Sequence, residues 1–251
     1  MAMSVGDEQP PRSSSGQAVT IGGFRYLRAP RPLRFPVQAE VPESKLHFEL
    51  RLLLYAILRR AFAREASIGA DQFVYWDPTD PRACLAPDAF VRLGTPDTHF
   101  KSWKVWERGA PELAVEILSD SDEGASWDSK LSSYARLGVR ELVAFDPESA
   151  SRQLRVWDRL EGDLVERELL QASAASNVLP GHWVVVEHPE CGPALRLSRD
   201  SSGTDLFLTP SEAEAEARRS EAEARRNEAE ARRAAEARVG ELEAELSRLR
   251  G

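Results

Sequence analysis

The sequence predicts an α/β (α+β) fold, in which a central mixed sheet is flanked by helices and followed by one charged C-terminal helix. Three observations predict it. Short apolar stretches of strand character recur between residues 73 and 187. Two longer segments, 44–65 and 127–137, are patterned as helices and fall before and between those strands. From Ser211 onward the chain is almost entirely Glu, Ala and Arg.

Composition bounds the rest. The 251 residues allow one or two domains, and a 42% hydrophobic share supplies one sizeable core. No apolar run reaches the ~18 residues of a membrane span, and no charged stub leads into an apolar segment as in a signal peptide. Cys84 and Cys191 lie far apart without metal-ligand spacing, which suits a reducing cytoplasm. A net charge of −8 argues against a protein that coats nucleic acid with basic surface. It leaves open an enzyme that touches phosphate locally, through a metal held by carboxylates.

In chain order, residues 1–33 read as a flexible N-terminal segment with Ser13-Ser14-Ser15-Gly16, 34–208 as the folded domain, and 209–251 as a helix or coiled coil. The helix at 44–65 gathers Leu46, Leu50, Leu53, Leu54, Ile57, Leu58, Ala61 and Phe62 on one face. Expected strands are 73–76, 90–93, 112–118, 141–146, 154–158, 164–169 and 183–187. The helix at 127–137 lies between the third and fourth of these and ends at Gly138, a suitable residue just past a helix end. Thr209-Pro210-Ser211-Glu212 is a helix start: a Thr cap, Pro at the first position, Glu at the third. The heptads that follow place Glu214 and Arg218, Glu221 and Arg225, and Glu228 and Arg232 four residues apart. Val239, Leu242, Leu246 and Leu249 form a short coiled-coil seam suited to a homodimer.

Several chemistries have no foothold. The four histidines form no HExxH, and there is no GxSxG, GxGxxG or GxxxxGK[ST] segment. His47, at the start of a helix, reads as a surface or packing residue. Acids in apolar strands are more informative. In Glu112–Leu118 the alternation puts Leu113, Val115 and Ile117 on one face and Ala114, Glu116 and Leu118 on the other. A carboxylate in that position has to be paired, solvated or bound to a metal. Asp88 precedes a second apolar strand, and Lys130 follows in the next helix, where it can point back over the strand end. Two acids and a lysine suit a hard cation, Mg2+ or Mn2+, that activates water against a phosphodiester.

Pro87-Asp88, Glu116-Ile117-Leu118-Ser119, Lys130 with Tyr134, Gly138–Leu142 and Asp146-Pro147 together resemble the Uma2 family of endonucleases, within the PD-(D/E)XK superfamily. The resemblance runs from about residue 34 to 187 and implies a restriction-endonuclease-like core. It implies Asp88 and Glu116 as metal ligands, Lys130 as the third catalytic residue, Glu43 and Glu49 as supporting acids, and DNA as the substrate. The superfamily's lysine two residues after the Glu is replaced here by Leu118, and Lys130 stands in for it from the helix. Ser126 occupies a position where the family often has an acid, with Asp128 nearby. The competing expectation is an inactive nuclease fold that assembles through its C-terminal helix. The basic–aromatic stretch 100–108, with Lys101, Lys104, Arg108, Trp103 and Trp106, reads as a segment pinned by its tryptophans rather than a DNA contact.

Overall fold

The computed structural model describes residues 18–21, 24–27, 44–119, 125–149, 151–169 and 172–250. The chain begins with a strand pair, β1 (Ala18–Ile21) and β2 (Phe24–Leu27), which run antiparallel. This pair lies inside the stretch read as flexible. Its signal is Gly22-Gly23 between two segments rich in β-branched and aromatic residues. Helix α1 (Lys45–Phe62) follows, with the Ser44 side chain accepting the His47 N–H at its first turn.

Short strands come next: β3 (Ala66–Gly69), β4 (Val74–Tyr75), β5 (Cys84–Leu85), β6 (Ala89–Leu93) and β7 (Trp103–Lys104), the last running into the single turn α2 (Val105–Arg108). Then β8 (Leu113–Ile117), α3 (Ala125–Leu137) and β9 (Glu141–Phe145) form a crossover unit, because β8 and β9 are parallel neighbours. Gly138 ends α3 at φ +97°, a conformation that glycine adopts without strain. The chain continues through β10 (Leu154–Leu160), β11 (Asp163–Glu166), β12 (Ser173–Ala175), β13 (His182–His188), β14 (Gly192–Ser198) and α4 (Pro210–Arg250).

A six-stranded mixed sheet in the order β11-β10-β9-β8-β6-β3 forms the centre. Its two faces follow the alternation read from the sequence. Leu113, Val115 and Ile117 of β8 pack with Ala89 and Val91 of β6 beneath Leu50, Leu54, Ile57 and Leu58 of α1. Ala114 and Phe90 turn to the other face, where Trp127, Tyr134 and Leu137 of α3 join Trp103 and Trp157. Gly69 is required by this second layer, since a Cβ there would lie 2.0 Å from the Phe90 ring. The small sheet β12-β13-β14 closes over α1 on the first face.

Two ionic clamps join the layers. Glu141, fully buried in β9, accepts hydrogen bonds from Ser176 Oγ at 2.8 Å, from Trp183 Nε1 at 2.8 Å and from the Asn177 backbone N–H. It ties the central sheet to the β12–β13 layer. At the root of α4, Arg196 is 2% exposed and grips both oxygens of Glu212 at 2.9 and 2.8 Å. Glu212 and Thr209 also exchange the reciprocal bonds of a capping box, so the expected start of this helix is where the structure has it. Trp103 is fully buried and its indole donates to the Gly109 carbonyl, so it pins the 100–108 stretch, whereas Trp106, expected to do the same, is 40% exposed. Both cysteines are free, and no described helix is long and apolar enough to cross a membrane.

Two outcomes follow from these clamps. Glu141→Ala removes a fully buried carboxylate that accepts three hydrogen bonds and should lower unfolding free energy in urea by about 3 kcal/mol; an unchanged midpoint would show that the clamp is dispensable. The second concerns acid. Burial pushes the Asp158, Glu166 and Glu212 carboxyls up, but hydrogen bonds and charges from Arg167, Arg155 and Arg196 outweigh it and hold all three low. A carboxyl lowered in the folded state contributes stability that is complete above its ordinary value, 3.8 for Asp and 4.5 for Glu, and lost as pH falls through the lowered one. The melting temperature should therefore drop on acidification through that window, and less steeply in Arg196→Met; parallel profiles for the two proteins would contradict this.

Candidate active site: a buried carboxylate pair and its cations

Register creates the site. Strands β6 and β8 are antiparallel, with Ala89 opposite Val115 as the last paired residues at this end. One step further, the same register sets Asp88 opposite Glu116, on the face that carries Phe90 and Ala114. Both carboxylates are buried, Asp88 at 8% and Glu116 at 4% exposure. Like charges placed opposite one another in a sheet repel. Burial and the Asp88 charge accordingly push the Glu116 carboxyl up to about 7, and bonds from Lys130 and Tyr134 pull only partly the other way.

Each oxygen of the pair has a donor. Lys130 Nζ donates to Glu116 Oε2 at 2.8 Å, and Tyr134 Oη donates to Glu116 Oε1. Lys130 and Tyr134 are four residues apart and share one face of α3, which returns over the end of β8 as part of the crossover. The Ile117 backbone N–H donates to Asp88 Oδ2 at 2.8 Å. On the opposite side, His47 Nε2 lies 2.7 Å from Asp88 Oδ1, with Arg51 Nε 4.0 Å from the same oxygen.

The residues expected from sequence thus separate. Asp88, Glu116 and Lys130 converge. Glu49 does not: it pairs with Lys45 at 3.4 Å, and it sits two residues from both His47 and Arg51, on the far side of α1 from the face they share. Helix α1 turns a histidine and an arginine toward Asp88, where an acid was expected. Glu43 lies outside the described residues, and Ser126 and Asp128 are exposed on α3. His47, read from sequence as a surface or packing residue, touches an acid of the pair. Its signal was available: His47 and Arg51 stand four apart in the first turns of α1, and a polar pair on a helix that must bury its apolar face calls for a partner.

The donor set fits a hard divalent cation. Two carboxylates repel across a short gap, their charge only partly balanced, and each oxygen keeps a lone pair beyond the hydrogen bond it accepts. Among the described residues no group of three or more His, Cys, Asp or Glu is placed to hold a metal ion.

No curated protein matches the chain. The crystal structure of a protein from Anabaena variabilis ATCC 29413, described as a "putative nuclease belonging to DUF820", is similar at 12% identity over 63% of this chain and 80% of that one, with a TM-score of 0.41. The model of the Uma2 family, whose description is "Putative restriction endonuclease", matches residues 37–187. That span covers more than half of the sequence and includes Asp88, Glu116 and Lys130, and the chain belongs to the Uma2 family.

Proposed function

We propose that this protein is a divalent-metal-dependent endonuclease that hydrolyses DNA phosphodiester bonds, with Asp88, Glu116 and Lys130 as its catalytic residues. The observation that carries the reading is the Asp88–Glu116 register pair, buried, mutually repelling and bracketed by Lys130 from α3 and His47 from α1. Family membership supports nuclease chemistry.

Asp88 and Glu116 hold the cation in this reading. A bound Mg2+ or Mn2+ supplies Lewis-acid polarisation of the phosphodiester and lowers the proton affinity of nearby water. Lys130 contributes a compact positive charge beside Glu116 that orients the attacking water and offsets charge building on the phosphate. Tyr134 fixes the Glu116 carboxylate through its other oxygen, and His47 with the Ile117 N–H does the same for Asp88. Arg51, next to Asp88, adds a charge that can meet a phosphate oxygen.

A second reading concerns assembly. Val239, Leu242, Leu246 and Leu249 are 43–79% exposed along the last turns of α4. Two copies pairing through this seam would cover it, and this is the route by which an inactive scaffold would also assemble.

Three outcomes test these readings. Wild-type protein should nick supercoiled plasmid with Mg2+ or Mn2+; Glu116→Ala should abolish nicking, and Lys130→Ala should slow it by about 10²–10³-fold. Equal cutting by all three, or none by wild type, contradicts the enzyme. Saturating Mn2+ should raise the melting temperature of wild type and leave that of Asp88→Ala where it stands without metal, since only a folded-state site gains from ligand. An equal rise in both would place the metal elsewhere. For assembly, Leu242→Asp with Leu246→Asp should reduce the sedimentation mass to that of one chain; an unchanged mass removes α4 as the contact.

A further inference from the structure

A cleft of about 270 Å3 opens beside the acid pair, lined by Phe48, Arg51, Leu52 and Tyr55 of α1 and by Ala70 and Gln72 of the turn after β3. Phe48 is 49% and Leu52 52% exposed, although both sit on a helix whose opposite face is fully buried. The Arg51 guanidinium lies 5.7 Å from the centre of the Phe48 ring, and Arg59 lies 6.0 Å from that of Tyr55. Arg51 belongs to both places at once, since it lines this cleft and reaches Asp88.

The floor is tied to the same centre. Asp71, between Ala70 and Gln72, is held at φ +55°, a left-handed conformation uncommon outside glycine. Its N–H donates to the Pro87 carbonyl at 2.9 Å, immediately before Asp88, and its carboxylate meets Arg51 at 3.0 Å. These contacts hold the guanidinium between the cleft and the acid pair.

Charge and shape select the occupant. Arg51 and Arg59 flank the cleft on α1, stacked on Phe48 and Tyr55 and paired with Asp71 and Asp97. Guanidinium groups at the edge of a cleft suit a phosphate-bearing ligand. Phe48 and Leu52 present no donor or acceptor with which to read the edge of a paired base. An exposed aromatic ring beside an arginine plane offers a stacking surface, and only a base freed from its partner can enter a cleft of this size and use it.

We propose that this cleft takes an unpaired nucleobase of the strand being cut, next to the scissile phosphate, so that the substrate is nucleic acid with a single-stranded or distorted segment. The proposal rests on the nuclease reading and narrows it. Phe48 is its stacking residue, and Asp71 is a positioning residue acting through Arg51.

The test uses the full-length protein without divalent metal and a short oligonucleotide carrying 2-aminopurine, a base whose fluorescence is quenched by stacking. Single-stranded probe should bind more tightly than the same sequence as a perfect duplex, with quenching. Phe48→Ala should remove the quenching and weaken single-strand binding by about 5- to 150-fold, while Phe48→Tyr restores both. Because Phe48 is half exposed, its replacement leaves the core intact, which an unchanged melting temperature verifies. Equal affinity and equal quenching in wild type and Phe48→Ala overturn the proposal, as does a preference for perfect duplex. Plasmid nicking separates the two ideas. Nicking that Phe48→Ala leaves untouched on every substrate sinks the base cleft alone, whereas stacking without cleavage in any metal sinks the nuclease reading alone.

Discussion

The structure is organised around a repulsion. Continuing the β6–β8 register brings Asp88 against Glu116 where water is largely excluded, and two carboxylates in that setting cannot both stay ionised without compensation. Much of the surrounding architecture supplies it. The β8–α3–β9 crossover returns Lys130 and Tyr134 over Glu116. Helix α1 crosses the other side of the strand end and turns His47 and Arg51 to Asp88. Burial and the Asp88 charge leave the Glu116 carboxyl raised to about 7 even so. Fold stability and proposed chemistry therefore pull against each other at this spot, as is usual for catalytic sites.

How the acids are held bears on why the site is built from three elements rather than one. A lysine two residues after Glu116 on β8 would share its strand face and point the same way as the acid. Leu118 occupies that place and packs with the α3-side core. The ammonium comes from α3 instead, on a helix face that also delivers Tyr134, so a single rigid element sets both Glu116 contacts.

Much of this was legible in the sequence because it rests on short periods. Leu113, Val115 and Ile117 against Ala114 and Glu116 is a two-residue alternation, and it sorted the two faces of β8 correctly. The face of α1 and the capping box at Thr209 follow equally local rules. Elements without such a pattern were missed. β3 is Ala-Ser-Ile-Gly, too small to declare a strand, and its Gly69 makes sense only once Phe90 is seen above it. β14 opens with Gly192-Pro193, which reads as a turn. The site divides the same way. Asp88 and Glu116 stand out as acids in apolar strands, whereas the contact of His47 with Asp88 spans 41 positions and depends on how α1 crosses the sheet. Glu49 follows only from the family resemblance, and helix geometry sends it to Lys45.

The claim on which the account depends is that the Asp88–Glu116 gap holds a divalent cation. Crystals of the protein soaked in Mn2+ and measured for anomalous scattering test it most directly. One strong manganese peak is expected within bonding distance of both carboxylates, with water completing the shell. Electron density showing Lys130 and Tyr134 still on Glu116 and no anomalous peak between the two acids would contradict it.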